Sequence, residues 1–185
     1  MFLVAFVALA FLSVPLLGGK VTRLGEIRIA HIWAVMVSLA IQIMVITVMP
    51  DAQPAALAIG HVVSYVFAGY FLWANRRVPG IVILGLGWAM NALVISLNGG
   101  VMPASARTGS IGTGAGQGFL NSRPVASPVF SFLGDNFAMP ASWPIHNVFS
   151  IGDVFIALGA FVALHWICGS LIARAFGRLR RPSAA

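Results

Sequence analysis

The sequence predicts an all-α integral membrane protein: five transmembrane helices with a long outer, partly interfacial segment between helices four and five. Of its 185 residues, 59% are hydrophobic and only 8% are charged, and the mean hydropathy is +0.96. Soluble domains are about 45–50% apolar and about 25% charged. Five stretches are apolar over roughly the 20 residues that a helix needs to cross the hydrocarbon core of a bilayer.

These five stretches define one polytopic membrane domain over residues 1–185. They cover about residues 1–17, 29–49, 55–73, 81–97 and 151–172. The first contains no Lys or Arg, so it lacks the basic n-region of a signal peptide and is expected to remain as a helix. Pro15 and the Gly18-Gly19 pair predict its end.

The basic residues predict the orientation. The chain has 11 Lys+Arg against 4 Asp+Glu, a net charge of +7. Most of the basic residues lie between spans one and two, between spans three and four, and after span five: Lys20, Arg23, Arg28, Arg76, Arg77, Arg174, Arg178, Arg180 and Arg181. The positive-inside rule places these segments in the cytoplasm of a bacterial inner membrane, with the N-terminus outside and the C-terminus inside. So few charges exclude a nucleic-acid-binding surface.

The outer segment, residues 98–150, is far longer than the usual connection of roughly 4–6 residues. Its Gly-rich stretch, residues 108–118, is typical of a flexible linker and lacks the Lys-Ser/Thr of a phosphate-binding loop. The later part is apolar around Val129 to Leu133 and Phe137 to Met139, with Trp143 near Pro140 and Pro144. Such aromatic-rich segments favour the membrane interface.

Polar residues inside the apolar stretches mark the faces that point into the bundle. They are Gln42, His61, Tyr65, Asn91 and His165. His61 and Tyr65 share one helix face, where they serve either interhelical hydrogen bonding or a ligand or proton path. The chain has one cysteine, Cys168, which excludes an internal disulfide, and Cys168 with His165 offers too few ligands for a metal. No metal and no cofactor is predicted.

Two aspartates fall at the outer boundary and admit two interpretations. Asp153 stands three residues after Ser150, the arrangement of a capping box, and Asp135 stands in a Gly-Asp-Asn turn. Alternatively, two carboxyl groups beside hydrocarbon form a pair in which one holds a proton while the other activates water. Asp51, in the short turn between spans two and three, is expected to be solvated.

The run Asn91 to Ser105, NALVISLNGGVMPAS, together with the later SIGDVFIALG element, resembles the bacterial multi-pass membrane family called domain of unknown function 5317. The resemblance covers most of the chain and brings no activity with it. It implies that Asn98, Gly99, Gly100, Met102 and Pro103 form a shaped outer turn, which we take with Asn91 as candidate binding residues.

A second resemblance covers a shorter part of the chain. Phe149, Asp153, Ile156 and Gly159 are similar to the last motif of the lipoprotein signal peptidases (signal peptidase II). That family uses two aspartates at the outer membrane face, so the resemblance implies Asp135 and Asp153 as a catalytic dyad and a lipid-modified peptide as substrate. Ser150 stands where that family has Asn, and Asn136 where it has Arg.

The sequence therefore leaves two functions open. One is a non-catalytic binding or assembly module of the inner membrane, whose partners are the lipid bilayer and another membrane protein or a lipid-modified peptide. The other is a membrane aspartyl peptidase acting through Asp135 and Asp153. A transporter is less favoured because no inverted repeat is visible.

Overall fold

The computed structural model describes residues 2–49, 53–105, 122–139 and 148–179. Asp51, the Gly-rich stretch 108–118, the Pro140–Trp143–Pro144 group, Arg180 and Arg181 lie outside the described residues.

The described chain is mostly helical. The helices are α1 (Phe2–Leu16), α2 (Ile32–Ile43, continued by a π-helical turn Met44–Val48), α3 (Pro54–Ala74), α4 (Ile81–Leu97), α5 (Ile151–Cys168) and α6 (Leu171–Leu179). Short 3-10 turns cover Val21–Gly25 and Ser131–Leu133. Two of the helical segments, Ala55–Ala74 and Ile151–Cys168, are long and apolar enough to cross a membrane, and three shorter apolar helices accompany them.

Local sequence explains where the long helices begin and end. Pro54 occupies the start of α3, where its missing N–H costs no helical hydrogen bond. Gly169 ends α5 in the left-handed conformation, with φ 64°, so the fifth predicted range divides into α5 and the separate helix α6.

The helices pack in the spatial order α2, α3, α4, α5, α1, with α4 against α5 as the most extensive contact. Glycines allow this close, antiparallel approach. Gly87 lies against Gly152, and Gly159 lies against the backbone of Leu84. Small residues at a helix interface let the two backbones come together, which favours association inside a membrane.

The outer segment contributes four two-residue strands. They are β1 (Met102–Pro103), β2 (Ser122–Arg123), β3 (Phe137–Ala138) and β4 (Val148–Phe149). β1 pairs with β2 in parallel, and β3 pairs with β4 antiparallel with Phe137 opposite Phe149. A small buried cluster of Val94, Ile95, Met102 and Leu133 joins this segment to the end of α4.

Candidate functional site

The first turn of α5 holds Asp153 in a hydrogen-bonded frame. Ser150 is the N-cap: its Oγ accepts a hydrogen bond from the Asp153 N–H at 3.1 Å, and the Ser150 N–H donates to Asp153 Oδ2 at 3.0 Å. The predicted capping box is therefore present. A carboxylate at this position satisfies an N–H at the helix start and interacts favourably with the helix dipole.

Asn91 of α4 extends this frame across the helix interface. Its Nδ2 donates to Asp153 Oδ1 at 2.9 Å, and its Oδ1 accepts from the Ser150 Oγ at 3.0 Å. Asn91 is buried, and Gly152 approaches its side chain so closely that a Cβ there would collide with it. The three side chains thus form one closed network between α4 and α5.

Asp135 is buried beside the start of α5 and is held through its backbone. Its N–H donates to Pro103 O at 2.8 Å, and its C=O accepts from the Ser105 N–H at 3.4 Å. The β3–β4 pairing sets Phe137 opposite Phe149, next to Ser150 in the chain. Asp135 is two residues before Phe137 in the chain, so it lies near the Ser150–Asp153 turn.

The surroundings of Asp135 favour its protonated form. Burial and, to a smaller extent, the charge of Asp153 raise the pKa of Asp135, the Ser122 side chain lowers it, and the net result is a pKa of about 6. The structure therefore brings the two predicted aspartates into one electrostatic environment. Tyr65 of α3 also lies within electrostatic range of both carboxyl groups.

The candidate binding turn supports the position of Asp135. Asn98 forms a two-way amide pair with Val129: its Oδ1 accepts from the Val129 N–H at 2.9 Å, and its Nδ2 donates to Val129 O at 3.0 Å. Gly99 and Gly100 have positive φ of 68° and 83°, which glycine adopts without strain.

The rest of this turn is buried. Gly100 lies against Ala58 of α3, and Met102 belongs to the buried cluster. Pro103 accepts the Asp135 N–H, and Gly134 lies so close to Pro103 that a side chain at 134 would collide with its carbonyl oxygen. These turn residues, and Asn91 as well, therefore contact other parts of the same chain. The turn holds Asp135 in place through the Pro103 carbonyl oxygen.

Sequence reasoning did not place Tyr65 or Ser122 at this site. The sequence predicts Tyr65 on an inward face with His61, and the two rings stack with their centroids 5.4 Å apart. The spacing of Tyr65 along α3 gives its face but not its depth relative to α5. Ser122 reaches Asp135 through the parallel β1–β2 pairing, for which the sequence carries no recognisable signal.

The other polar residues inside the helices have partners within the chain. Gln42 Nε2 donates to Ser64 Oγ at 3.2 Å. His165 of α5 has Ser13 Oγ of α1 at 3.0 Å from Nε2 and Ser170 Oγ at 2.9 Å from Nδ1, so it joins α1 to the turn that precedes α6. In the described part of the chain, no group of three or more His, Cys, Asp or Glu side chains is arranged to hold a metal.

Comparison with known proteins gives a family. Residues 26–165 match the family described as Family of unknown function (DUF5317). A curated relative, an uncharacterized protein of Thermotoga maritima, is 29% identical over 96 residues, which are 50% of this chain and 54% of the relative. The match thus spans about half the length of that relative. No solved structure matches significantly. Because the family match includes α2 to α4, both candidate aspartates and nearly all of α5, the chain belongs to the DUF5317 family.

Proposed function

We propose that the chain spans the bacterial inner membrane five times. The proposal is supported by rows of large apolar side chains that point away from the bundle at helical spacing. These are Ile32, Met36, Leu39 and Ile43 on α2; Ile59, Val63, Val66, Tyr70 and Trp73 on α3; Val82, Leu86, Leu93 and Leu97 on α4; and Val154, Leu158 and Trp166 on α5. On a soluble helix this face is polar, whereas lipid is as apolar as leucine.

The orientation, with the N-terminus outside and the C-terminus cytoplasmic, is supported by contacts between the basic ends of the helices. The Lys20 N–H donates to Cys168 O at 2.9 Å, and the Arg174 side chain donates to Gly18 O at 3.0 Å. An aromatic group around Tyr70 lies at the same end, with the rings of His31 and Trp33 at 5.1 and 5.9 Å. Basic and aromatic residues together are typical of a cytoplasmic membrane interface.

At the outer face, the proposed role is a non-catalytic binding or assembly module. One observation carries it: both oxygens of Asp153 accept hydrogen bonds within the chain, Oδ1 from Asn91 and Oδ2 from the Ser150 N–H. The carboxylate is thereby used to join α4 to α5. The partner, another membrane protein or a lipid-modified peptide, would contact the apolar residues that the outer segment exposes, among them Phe130 and Phe132.

A second candidate, a membrane aspartyl peptidase, is favoured by the electrostatic interaction between the two carboxyl groups. With the pKa of Asp135 raised to about 6, this carboxyl keeps its proton in weakly acidic solution. Asp153, as the base, would then take a proton from a water molecule as the water oxygen attacks the scissile carbonyl carbon. Asp135 would give its proton to the carbonyl oxygen. Asp153 would then pass the proton it took from water to the departing amine as the C–N bond breaks, while a hydroxyl of the intermediate returns a proton to Asp135.

Site-specific cross-linking in cells tests the binding role. A photoreactive amino acid in place of Phe132 is expected to give an adduct of one defined mass, because a partner covers this surface. The matched control is the same substitution at Leu86, an exposed residue of α4 that we place against lipid. A Phe132 variant with no more adduct than the Leu86 variant would contradict the binding role.

A cleavage assay separates the two candidates. Purified protein in vesicles is incubated with a peptide carrying a diacylglyceryl cysteine, and the products are weighed by mass spectrometry. The binding role predicts an intact peptide. Cleavage by the natural protein that is lost in both Asp135→Asn and Asp153→Asn, with both variants still folded, would establish the peptidase instead.

A further inference from the structure

A cavity of about 510 Å³ lies at the end of the bundle where the basic residues meet. Its walls come from the turn between α3 and α4 and from parts of α4, α5 and α6. Small-molecule sites in proteins typically measure about 300–1,000 Å³. The cavity is remote from the aspartate site, which lies at the opposite ends of α4 and α5.

The cavity has a cationic part and an apolar part. Arg76 and Arg77 line the first, while Val82, Val162, Trp166 and Ile172 line the second. Val82 is 59% exposed and Trp166 is 48% exposed, so this apolar wall is open on the outside of the bundle. An occupant that matches both parts carries a negative charge at one end and a hydrocarbon chain at the other.

The two arginines differ in the number of contacts that their guanidinium groups make with the rest of the chain. Arg76 donates from Nη1 to Trp73 O at 2.7 Å, and its guanidinium lies 4.6 Å from the centroid of the Trp73 ring. Arg77 is exposed and makes no hydrogen bond or ion pair with the parts of the chain that the structure describes. Its guanidinium is therefore available to bind a phosphate in the two-point geometry that arginine favours.

Helix α6 closes the cavity on the cytoplasmic side through Ile172 and Ala173. It leaves α5 at Gly169, and Arg174 holds its start by donating to Gly18 O at 3.0 Å and Gly169 O at 3.2 Å. Its sequence alternates apolar residues with Arg174 and Arg178, which is typical of a helix lying in the membrane interface. Phospholipid headgroups occupy the same depth.

We propose that this cavity binds an anionic phospholipid, with the headgroup phosphate on Arg77 and Arg76 and an acyl chain along Val82 and Trp166. The inference rests on the membrane placement proposed above. The lipid's net negative charge complements the two arginines, whereas a zwitterionic lipid carries a compensating cation in its headgroup. The open apolar wall lets the chain enter from the surrounding bilayer.

Tryptophan quenching by brominated lipids tests the proposal on the full chain in vesicles. Trp166 is the reporter within the cavity, and its contribution is isolated by comparing the protein with Trp166→Phe. At equal mole fractions, brominated phosphatidylglycerol is expected to occupy the site about fivefold more than brominated phosphatidylcholine, because each arginine near the surface attracts anionic lipid. Arg77→Gln should remove most of this preference, whereas Arg28→Gln, an exposed arginine outside the cavity, should retain it.

The outcomes separate failure of the site from failure of the membrane placement. Equal quenching of Trp166 by the two lipids, or an unchanged preference in Arg77→Gln, would overturn the lipid site alone. Absence of quenching by either lipid, at Trp166 and also at the exposed Trp33 and Trp73, would overturn the membrane placement. Loss of the preference on adding excess inorganic phosphate would mean that the arginines take free phosphate, which also overturns the lipid site.

Discussion

The amide of Asn91 donates to one partner and accepts from another, a combination that neither a carboxylate nor a hydrocarbon side chain provides at neutral pH. A carboxylate at this position would place a second negative charge beside Asp153. An alanine would leave Asp153 Oδ1 and the Ser150 hydroxyl with one partner fewer each. The identity of residue 91 therefore follows from the chemistry of its two neighbours.

Asn91→Ala should lower the free energy of unfolding by about 1–3 kcal/mol, because it removes two hydrogen bonds at a buried position. The control is Ser96→Ala, an exposed position on the same helix, which should change the stability by no more than about 0.5 kcal/mol. Denaturant titration in detergent, followed by circular dichroism, measures both. Equal stability of the two variants would mean that the network contributes little.

Asp135 should make stability depend on pH. Its pKa is raised from 3.8 to about 6, so the folded protein binds the proton more tightly than the unfolded chain does. Stability from this group is therefore fully present below the unfolded value of 3.8 and decreases as the pH rises towards about 6. At about 1.4 kcal/mol for each pKa unit, the loss is about 3 kcal/mol, and it stays constant at higher pH.

Asp135→Asn should flatten this profile, since an amide does not titrate. The variant is expected to unfold at a higher temperature than the natural protein at pH 8, and the gain should disappear in acid. Thermal unfolding in detergent across this pH range gives the comparison. A variant whose profile still falls between pH 4 and pH 6 would show that another group is responsible.

At the scale of elements, α4 and α5 depend on paired glycines. A Cβ at Gly87 would collide with Gly152 O, whereas a Cβ at Gly85 meets nothing within 4 Å. Gly87→Ala should therefore destabilise the protein by about 1–3 kcal/mol through overpacking, and Gly85→Ala should be neutral or stabilising. The two variants add the same methyl group at positions two residues apart on one helix, so each is a control for the other. Equal unfolding midpoints for the two variants would contradict the close approach.

Hydropathy predicts the positions of the helices along the chain more accurately than it predicts where each helix ends. The predicted stretch 81–97 coincides with α4, and 55–73 differs from α3 by one residue at each end. The fifth stretch extended to residue 172 because hydropathy continues through Gly169, which turns the chain between α5 and α6. Hydropathy measures only the apolar content of a stretch. It therefore does not detect a helix end that is caused by the left-handed conformation of one glycine.

For the site, the sequence could predict the cap at Ser150, since a capping box depends on residues three apart in the chain. The two aspartates stay candidates. The sequence could not join Asn91 to Asp153, because that contact depends on how far α4 slides along α5. It also could not bring Ser122 to Asp135, because two-residue strands leave no periodic pattern.

At the scale of the whole molecule, the two ends of the bundle should face different compartments. In a Cys168→Ala background, Ser127→Cys lies in the outer segment and Thr22→Cys in the turn after α1, and both positions are exposed. A membrane-impermeant maleimide added to intact cells should label the cysteine at 127, and it should label the one at 22 only after permeabilisation. The reverse pattern would invert the topology, and labelling of both in intact cells would contradict it.

In the proposed membrane placement, the Asn91–Ser150–Asp153 network has a consequence for the depth of the outer segment in the bilayer. A face of small residues is smooth, so by itself it resists sliding of α4 along α5 only weakly. A shift of one residue moves a helix by about 1.5 Å along its axis, enough to separate a hydrogen-bonded pair. A buried polar contact of this kind fixes the vertical register of two helices, as a single asparagine does in coiled coils. Because Pro103 in the turn after α4 accepts the Asp135 N–H, the same network would set the height of that carboxyl group relative to the hydrocarbon in the proposed placement.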